Sequence, residues 1–323
     1  MTESVATFSE PAVHIDWARL GNVYVVGNGK GGVGKTTTSV HLGALAASDG
    51  VRTLIVDLNG QGNCAQLLGY ADSERDDKGK NLFAAVTAGA TLEPAREIRP
   101  CLDVATGGPY VRRIGSVLAA EMSTKADADR VHLSLASCLQ QVARAYQLII
   151  IDTPPENPLL SNLALCAGRF VVVPMRTDAY SRKGLREYAS DIRRMREHNP
   201  YLMLLAVFVF ASGTAAKKIR RETAKNVSDD LGQSGEFLLD SFIRHAESVA
   251  NEMVKYGLLA YELEQEIGNN PKFWELRKGD TKNTTTVSET SRLVAEDFAK
   301  LATEILTRAA ARRATMIERG EWP

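Results

Sequence analysis

Two lysines stand at either end of a glycine run, Gly29-Lys30-Gly31-Gly32-Val33-Gly34-Lys35-Thr36-Thr37. The order Gly-x-x-x-x-Gly-Lys-Thr suits phosphate for physical reasons. Glycine takes positive φ angles without a steric cost and lets backbone N–H groups close around an anion. A helix starting near Lys35 would aim its unpaired N–H groups, and a partial positive charge, at the same anion. Within this pattern Lys35 reaches the β and γ phosphates of a nucleotide, and the Thr36 hydroxyl ligates Mg²⁺. Residues 29 to 37 are therefore the nucleotide-binding candidates. A glycine-rich turn with lysines by chance is the competing reading, and the position of the run between an apolar strand and a helical pattern weighs against it.

A second chemical group ends the run Leu148-Ile149-Ile150-Ile151-Asp152-Thr153-Pro154-Pro155. A strand of four apolar residues would deliver Asp152 to the edge of a sheet, where a carboxylate can hold Mg²⁺ directly or through water. The two prolines stiffen the segment that follows. A similar strand ends in Val56-Asp57-Leu58-Asn59-Gly60-Gln61-Gly62-Asn63, adding Asp57 and Asn59 as candidates.

The elements that must position these groups follow from the rhythm of the chain. Short apolar runs alternate with longer helical patterns, which indicates βαβ units around a parallel sheet. Strands are expected at 23–26, 53–57, 102–105, 148–152, 170–174, 202–210 and 237–240, and helices at 35–48, 127–145, 182–197, 215–231 and 288–317. The fold class is α/β: a doubly wound, mostly parallel sheet of about seven or eight strands of P-loop NTPase type, with nucleotide at the C-terminal strand ends. Residues 1–20 read as a loosely held arm, 21–323 as a single ATPase domain with a C-terminal helix, and 268–286 as the principal loop.

Composition limits the alternatives. The 323 residues are 44% apolar and 24% charged, ordinary for a globular chain and unlike a disordered or collagen-like one. Lys+Arg and Asp+Glu both number 39, so a nucleic-acid surface must be a local patch. The four cysteines, Cys64, Cys101, Cys138 and Cys166, form no Cys-x-x-Cys pair, which argues against a zinc site, an iron–sulfur cluster and a disulfide framework. No apolar stretch reaches the roughly 18–20 residues of a membrane span, and no signal-peptide pattern is visible, so a cytoplasmic protein is expected.

An ordinary phosphate loop does not need Lys30. With that lysine the segment resembles the deviant Walker A motif of the ParA/MinD group of P-loop ATPases, and the similarity extends in order through roughly residues 22–306. It includes Leu102 to Gly108, Val171 to Pro174 with Ser181 to Leu185, and Ser241-Phe242-Ile243-Arg244. The resemblance, closest to ParA-type partition ATPases, implies that Lys30 crosses a homodimer interface to the phosphates of ATP held by the partner. It makes Asp57 a metal and catalytic candidate beside Lys30, Lys35 and Asn59, with Thr36, Asp57 and Asp152 around Mg²⁺. Two positions depart from the family's Asp-x-Asp-Pro-Gln-Gly-Asn switch. Gly60 replaces the proline, and Asn59 replaces the second aspartate, which positions or polarises the attacking water. An amide still hydrogen-bonds water but takes up no proton at neutral pH, so slow hydrolysis is expected.

The same resemblance implies nonspecific binding of double-stranded DNA by the ATP dimer, a ParB-type partner and association with the nucleoid. The DNA-binding candidates are Arg182, Arg186, Lys217, Arg221, Lys225 and Arg244. Lys217, Arg221 and Lys225 recur every four residues and share one helix face. Each cluster also has the simpler reading of a solvated face with acidic neighbours such as Glu187, Asp191 and Glu222. A MinD-like membrane ATPase, or one that positions a protein cargo, is the alternative function. The stripe Leu293, Val294, Phe298, Leu301, Ile305 and Leu306 reads as a core-facing helix, and no stable membrane association is expected.

Overall fold

Strand β1 (Val23–Val26) is four apolar residues, all buried, leading straight into the glycine run. The computed structural model describes residues 13–155, 157–213, 217–231, 237–270 and 286–323, with only the backbone described for 217–220 and 231. The other strands are β2 (Thr53–Asp57), β3 (Ala95–Arg99), β4 (Leu102–Ala105), β5 (Leu148–Asp152), β6 (Phe170–Met175), β7 (Met203–Ser212) and β8 (Leu238–Arg244). They form one sheet of eight strands in the order β3-β4-β2-β5-β1-β6-β7-β8. Only β3 runs antiparallel to its neighbour.

Successive strand residues feed two separate cores, as the period of two in a strand requires. Val23, Val25, Leu54, Val56, Ile149 and Ile151 enter one core, while Tyr24, Val26, Ile55 and Ile150 enter the other. Both faces are covered, so the central strands read as unbroken apolar runs.

The first three helices are α1 (Lys35–Ser48), α2 (Asn63–Leu67) and α3 (Lys80–Ala88), followed by α4 (Pro109–Glu121), α5 (Lys125–Val142) and α6 (Pro158–Ala167). Next come α7 (Ala179–Met195), α8 (Lys217–Leu231), α9 (Glu247–Tyr256), α10 (Ala260–Glu266) and α11 (Thr290–Glu318). Helix α11 lies along α1 and buries Val294, Phe298, Leu301 and Ile305, each worth roughly 1.5–3 kcal/mol when fully buried. Leu306 is partly buried, and Leu293 remains exposed at the margin of the stripe. Among the described residues no helix is long and apolar enough to cross a membrane.

His41 fixes the packing of α1 on its neighbours. Its ring stacks on Phe298 with centroids 3.7 Å apart, Nδ1 meets the Thr37 carbonyl at 2.7 Å, and Nε2 accepts from the Ala260 N–H at 3.1 Å. Burial pushes the imidazole down to about 4, which leaves it neutral and able to donate from one nitrogen while accepting at the other.

Two expectations need correction. Residues 13–20, assigned to a loose arm, are anchored: Ile15 and Leu20 are buried, and the Asp16 N–H donates to Gln140 Oε1 at 3.0 Å. Their apolar side chains cover one end of the core, which a polar arm would leave exposed. Strand β3 was not anticipated, because in Ala-Arg-Glu-Ile-Arg only Ile98 is buried and an edge strand needs no apolar run. Residues 1–12 and most of the expected 268–286 loop lie outside the described residues.

Candidate functional site

The strand register assembles the site. Asp57 and Asp152 are direct partners across β2 and β5, and Asp152 is also the partner of Val26, the last residue of β1. The glycine loop, the segment after β2 and the segment after β5 therefore meet at the C-terminal ends of three adjacent strands. Gly34 caps α1 in the left-handed region at φ 85°, and a Cβ there would come within 2.3 Å of the Phe210 ring. Both the conformation and the close approach require glycine.

Lys35 Nζ donates to the Lys30 carbonyl at 2.8 Å, so its side chain curls over the loop it would share with a phosphate. Burial pushes this lysine down to about 8, with Asp152 opposing the shift. Thr36 Oγ1 donates to Asp152 Oδ2 at 2.6 Å, as expected for a hydroxyl and a carboxylate poised over one cation. Ser39, one turn further along α1, donates to Asp152 Oδ1 at 3.1 Å. Its place three residues after Thr36 on a helix was the available clue.

Asp57 is fully buried. Its Oδ1 accepts from the Asn59 N–H at 2.8 Å, and the thiol and backbone N–H of Cys64 donate to the same carboxylate. Burial, and then the facing Asp152 carboxylate, hold Asp57 well above the ordinary carboxylate range. Burial also raises Asp152, although Thr36, Lys35 and Ser39 pull it back. A Cβ on Gly107 would stand 2.4 Å from the Asp57 carboxylate, so only glycine fits behind it. Two buried carboxylates and an adjoining threonine hydroxyl form an oxygen donor set suited to a hard divalent cation.

Asn59 closes its own turn, accepting the Gln61 N–H on Oδ1 at 2.9 Å. Gly60 leaves space for Arg112 of α4: a Cβ at Gly60 would meet Arg112 Cβ at 2.9 Å, and Arg112 Nη2 donates to the Gly60 carbonyl at 3.3 Å. Asn59, Gly60, Gln61, Arg112, Pro154 and Pro155 line a cleft of about 400 Å³ beside the carboxylates. Sequence reasoning did not find Arg112, which approaches from a separate helix.

Lys30 is held within its own chain. Its Nζ donates to Asp178 Oδ1 at 2.7 Å and to Ser181 Oγ at 3.1 Å. Asp178 caps α7 by accepting the Ser181 N–H. Burial would raise the Asp178 carboxyl, but the bonds from Lys30 and Ser181 outweigh it and hold the group down at about 2. Nothing local in the sequence announces a contact between residues 148 positions apart.

The basic candidates are arranged differently. Arg244 Nε and Nη2 donate to Asp297 at 2.7 and 2.8 Å. Arg182 forms a two-pronged pair with Asp230 of α8, and Arg186 stands 3.9 Å from the same carboxylate. Arg221 and Lys225 are exposed on α8, whereas the Lys217 side chain lies outside the described residues. The six candidates therefore do not form one patch of open cations, because three already have acidic partners.

Comparison with known proteins decides the family. Residues 21–204 match the family model described as AAA domain. Soj of Bacillus subtilis strain 168, described as a sporulation initiation inhibitor protein, is 32% identical over 191 residues, which cover 59% of this chain and 72% of Soj. The chain belongs to the ParA family of partition ATPases. The chromosome partitioning protein ParA of Myxococcus xanthus strain DK1622 is 31% identical over 197 residues, covering 60% of this ParA-family chain and 66% of that protein. Among solved structures, the ATP complex of a Cyanothece McdA variant superposes with a TM-score of 0.66 at 17% identity, covering 88% of this chain and 96% of the other. At that identity the likeness concerns the fold, and it agrees with the mostly parallel sheet of this ParA-family member.

Proposed function

We propose that this ParA-family protein is a nucleotide-gated switch in DNA partition: it binds ATP with Mg²⁺ at residues 29–37, dimerises through Lys30, and in that state holds double-stranded DNA without sequence preference. The observation that supports this reading is that the glycine loop and the carboxylates ending β2 and β5 meet at one edge of the sheet, with Thr36 on Asp152. Lys35 rests on its own loop carbonyl. Lys30 rests on Asp178. Thr36, Asp57 and Asp152 would hold Mg²⁺, which when bound offsets phosphate charge. Lys35 binds the phosphates in cis, and Lys30 leaves Asp178 to reach those of the partner subunit.

Asn59 sets the rate in this reading. Its amide orients a water through hydrogen bonds but accepts no proton, so turnover is slow and the ATP dimer long-lived. Asp57 is the remaining carboxylate of the switch. A ParB-type partner accelerates release, and DNA retention places the protein on the nucleoid.

Arg221 and Lys225 offer cations directly, while Arg182, Arg186 and Arg244 reach phosphate by exchanging Asp230 or Asp297 for it. DNA retention should be measured with ATP, ADP and no nucleotide over a range of salt. Retention confined to ATP, falling steeply with salt as counterion release requires, supports the reading. Equal retention in all three states contradicts it, and so does binding to anionic vesicles in place of DNA.

A further inference from the structure

The cleft of about 400 Å³ beside the strand ends has two polar walls. One is the turn after β2, with Asn59 and Gln61. The other is Arg112 of α4 together with Asn157, the N-cap of α6. Pro155 also lines the cleft, and a Cβ on Gly31 would stand 3.7 Å from the Pro155 Cβ. The cleft therefore opens next to the glycine loop.

The polar groups left over in this cleft are donors. Asn59 Oδ1 accepts the Gln61 N–H at 2.9 Å, and Asn157 Oδ1 accepts the Leu160 N–H at 3.2 Å. Each bond fixes which end of the amide is oxygen, so the end without a hydrogen bond among the described residues is the NH₂ group. Arg112 carries five N–H donors. Among the described residues its side chain bonds the Gly60 carbonyl at 3.3 Å and pairs with no carboxylate. An exposed arginine is often no more than a solvated side chain, but this one is seated: a Cβ at Gly60 would come within 3.2 Å of Arg112 Nε, so only glycine lets the guanidinium lie over the turn. A guanidinium and amide NH₂ groups around one concave space suit an oxyanion, whose oxygens accept.

We propose that Arg112 and the amides of Asn59 and Asn157 form an oxyanion subsite that receives the inorganic phosphate cleaved from ATP before it reaches solvent. The source of the phosphate rests on the ATP reading, whereas the donors themselves depend on no nucleotide. Free phosphate is the oxyanion that hydrolysis releases beside this cleft. Because Arg112 also holds the Gly60 carbonyl, a phosphate on its guanidinium ties the turn bearing Asn59 to α4 until the phosphate leaves. The rival occupant is a carboxylate side chain of a protein partner, whose methylenes would lie against Leu160.

The test titrates inorganic phosphate into the full chain by calorimetry, once without nucleotide and once with saturating ADP and Mg²⁺ to fill the glycine loop. With ADP in place one phosphate per chain should bind, and Arg112→Ala should weaken it by about 10-fold or more, the loss expected for hydrogen bonds to a charged group. Arg112→Lys keeps the charge without the planar fork and should fall between the two. Arg112 is exposed, so both variants should fold, which melting curves check. Added phosphate should also slow ATP turnover in the parent and much less in Arg112→Ala, a product effect that a merely structural role would not alter. Undiminished phosphate affinity in Arg112→Ala, or no phosphate bound with ADP in place, overturns the proposal. So does glutarate, the carboxylate probe, if it binds more tightly than phosphate with the same dependence on Arg112. Failure of the ATP reading shows separately as absence of ADP binding, and the nucleotide-free titration then decides the subsite on the same comparison with Arg112→Ala.

Discussion

At the C-terminal ends of β1, β2 and β5, two buried carboxylates, Asp57 and Asp152, face one another and Lys35 bonds to its own loop, whereas on α7, α8 and β8 the arginines Arg182, Arg186 and Arg244 already face carboxylates of opposite charge. The two regions use the same kinds of charged side chain under different constraints. At the strand ends, a cation or phosphate adds interactions that the protein alone does not make. On the basic faces, a phosphate must first displace Asp230 or Asp297, so only part of the new interaction is gained. In the proposed reading the strand ends are organised around a ligand, and the basic faces around exchange.

The largest effect that would break this contrast is catalytic. Asn59→Asp supplies a proton acceptor at the strand ends while keeping an oxygen for the Gln61 N–H. Since a positioned base typically contributes 10²–10⁴ in rate, single-turnover hydrolysis in preformed dimers should rise by roughly 10². Equal rates would mean that this position does not set the clock.

Next in size is Arg244→Ala. Removing one member of a buried pair leaves an uncompensated charge, here Asp297, whose side chain is only 7% exposed. Chemical denaturation should show a loss of about 3 kcal/mol, largely recovered in Arg244→Met with Asp297→Leu. Loss of DNA retention with unchanged stability would instead make Arg244 an open phosphate contact and erase the contrast between the regions.

A smaller effect sharpens the account of the strand ends. The Asp57 carboxyl is raised in the folded protein, so the folded state binds more protons than the unfolded chain. Its stability is greatest below the unfolded value of about 3.9 and declines as pH rises through the folded one. Without Mg²⁺ or nucleotide, Asp57→Asn should therefore melt higher than the parent, by more at pH 8 than at pH 6. Each kcal/mol corresponds to about 2–4 °C in a chain of this size class. The same increment at both pH values would show that Asp57 carries no displaced proton equilibrium.

What was legible in the sequence follows the same physics. Strands β1, β2, β4 and β5 and helix α1 match their expected limits, because covering both faces demands unbroken apolar runs and the glycine loop fixes where α1 starts. Short α2 and α10, and the edge strand β3, carry too few periodic positions to register. At the site, the loop, Asp57 and Asp152 were visible as motifs, but their adjacency depends on the order of strands in the sheet. Asp178 and Ser181 under Lys30, Gly107 behind Asp57 and Arg112 over Gly60 come from distant segments, and no local pattern predicts them. The acidic partners of the arginines were hidden in the same way: Asp297 lies 53 residues from Arg244.

The central claim is that Lys30 exchanges its bond to Asp178 for phosphates across a dimer. Sedimentation velocity with ATP and Mg²⁺, with ADP, and without nucleotide tests it most directly, on the parent and on Lys30→Ala. The account predicts a dimer only for the parent with ATP, and a monomer that still binds ATP for Lys30→Ala. An ATP-dependent dimer of undiminished affinity in Lys30→Ala would contradict it.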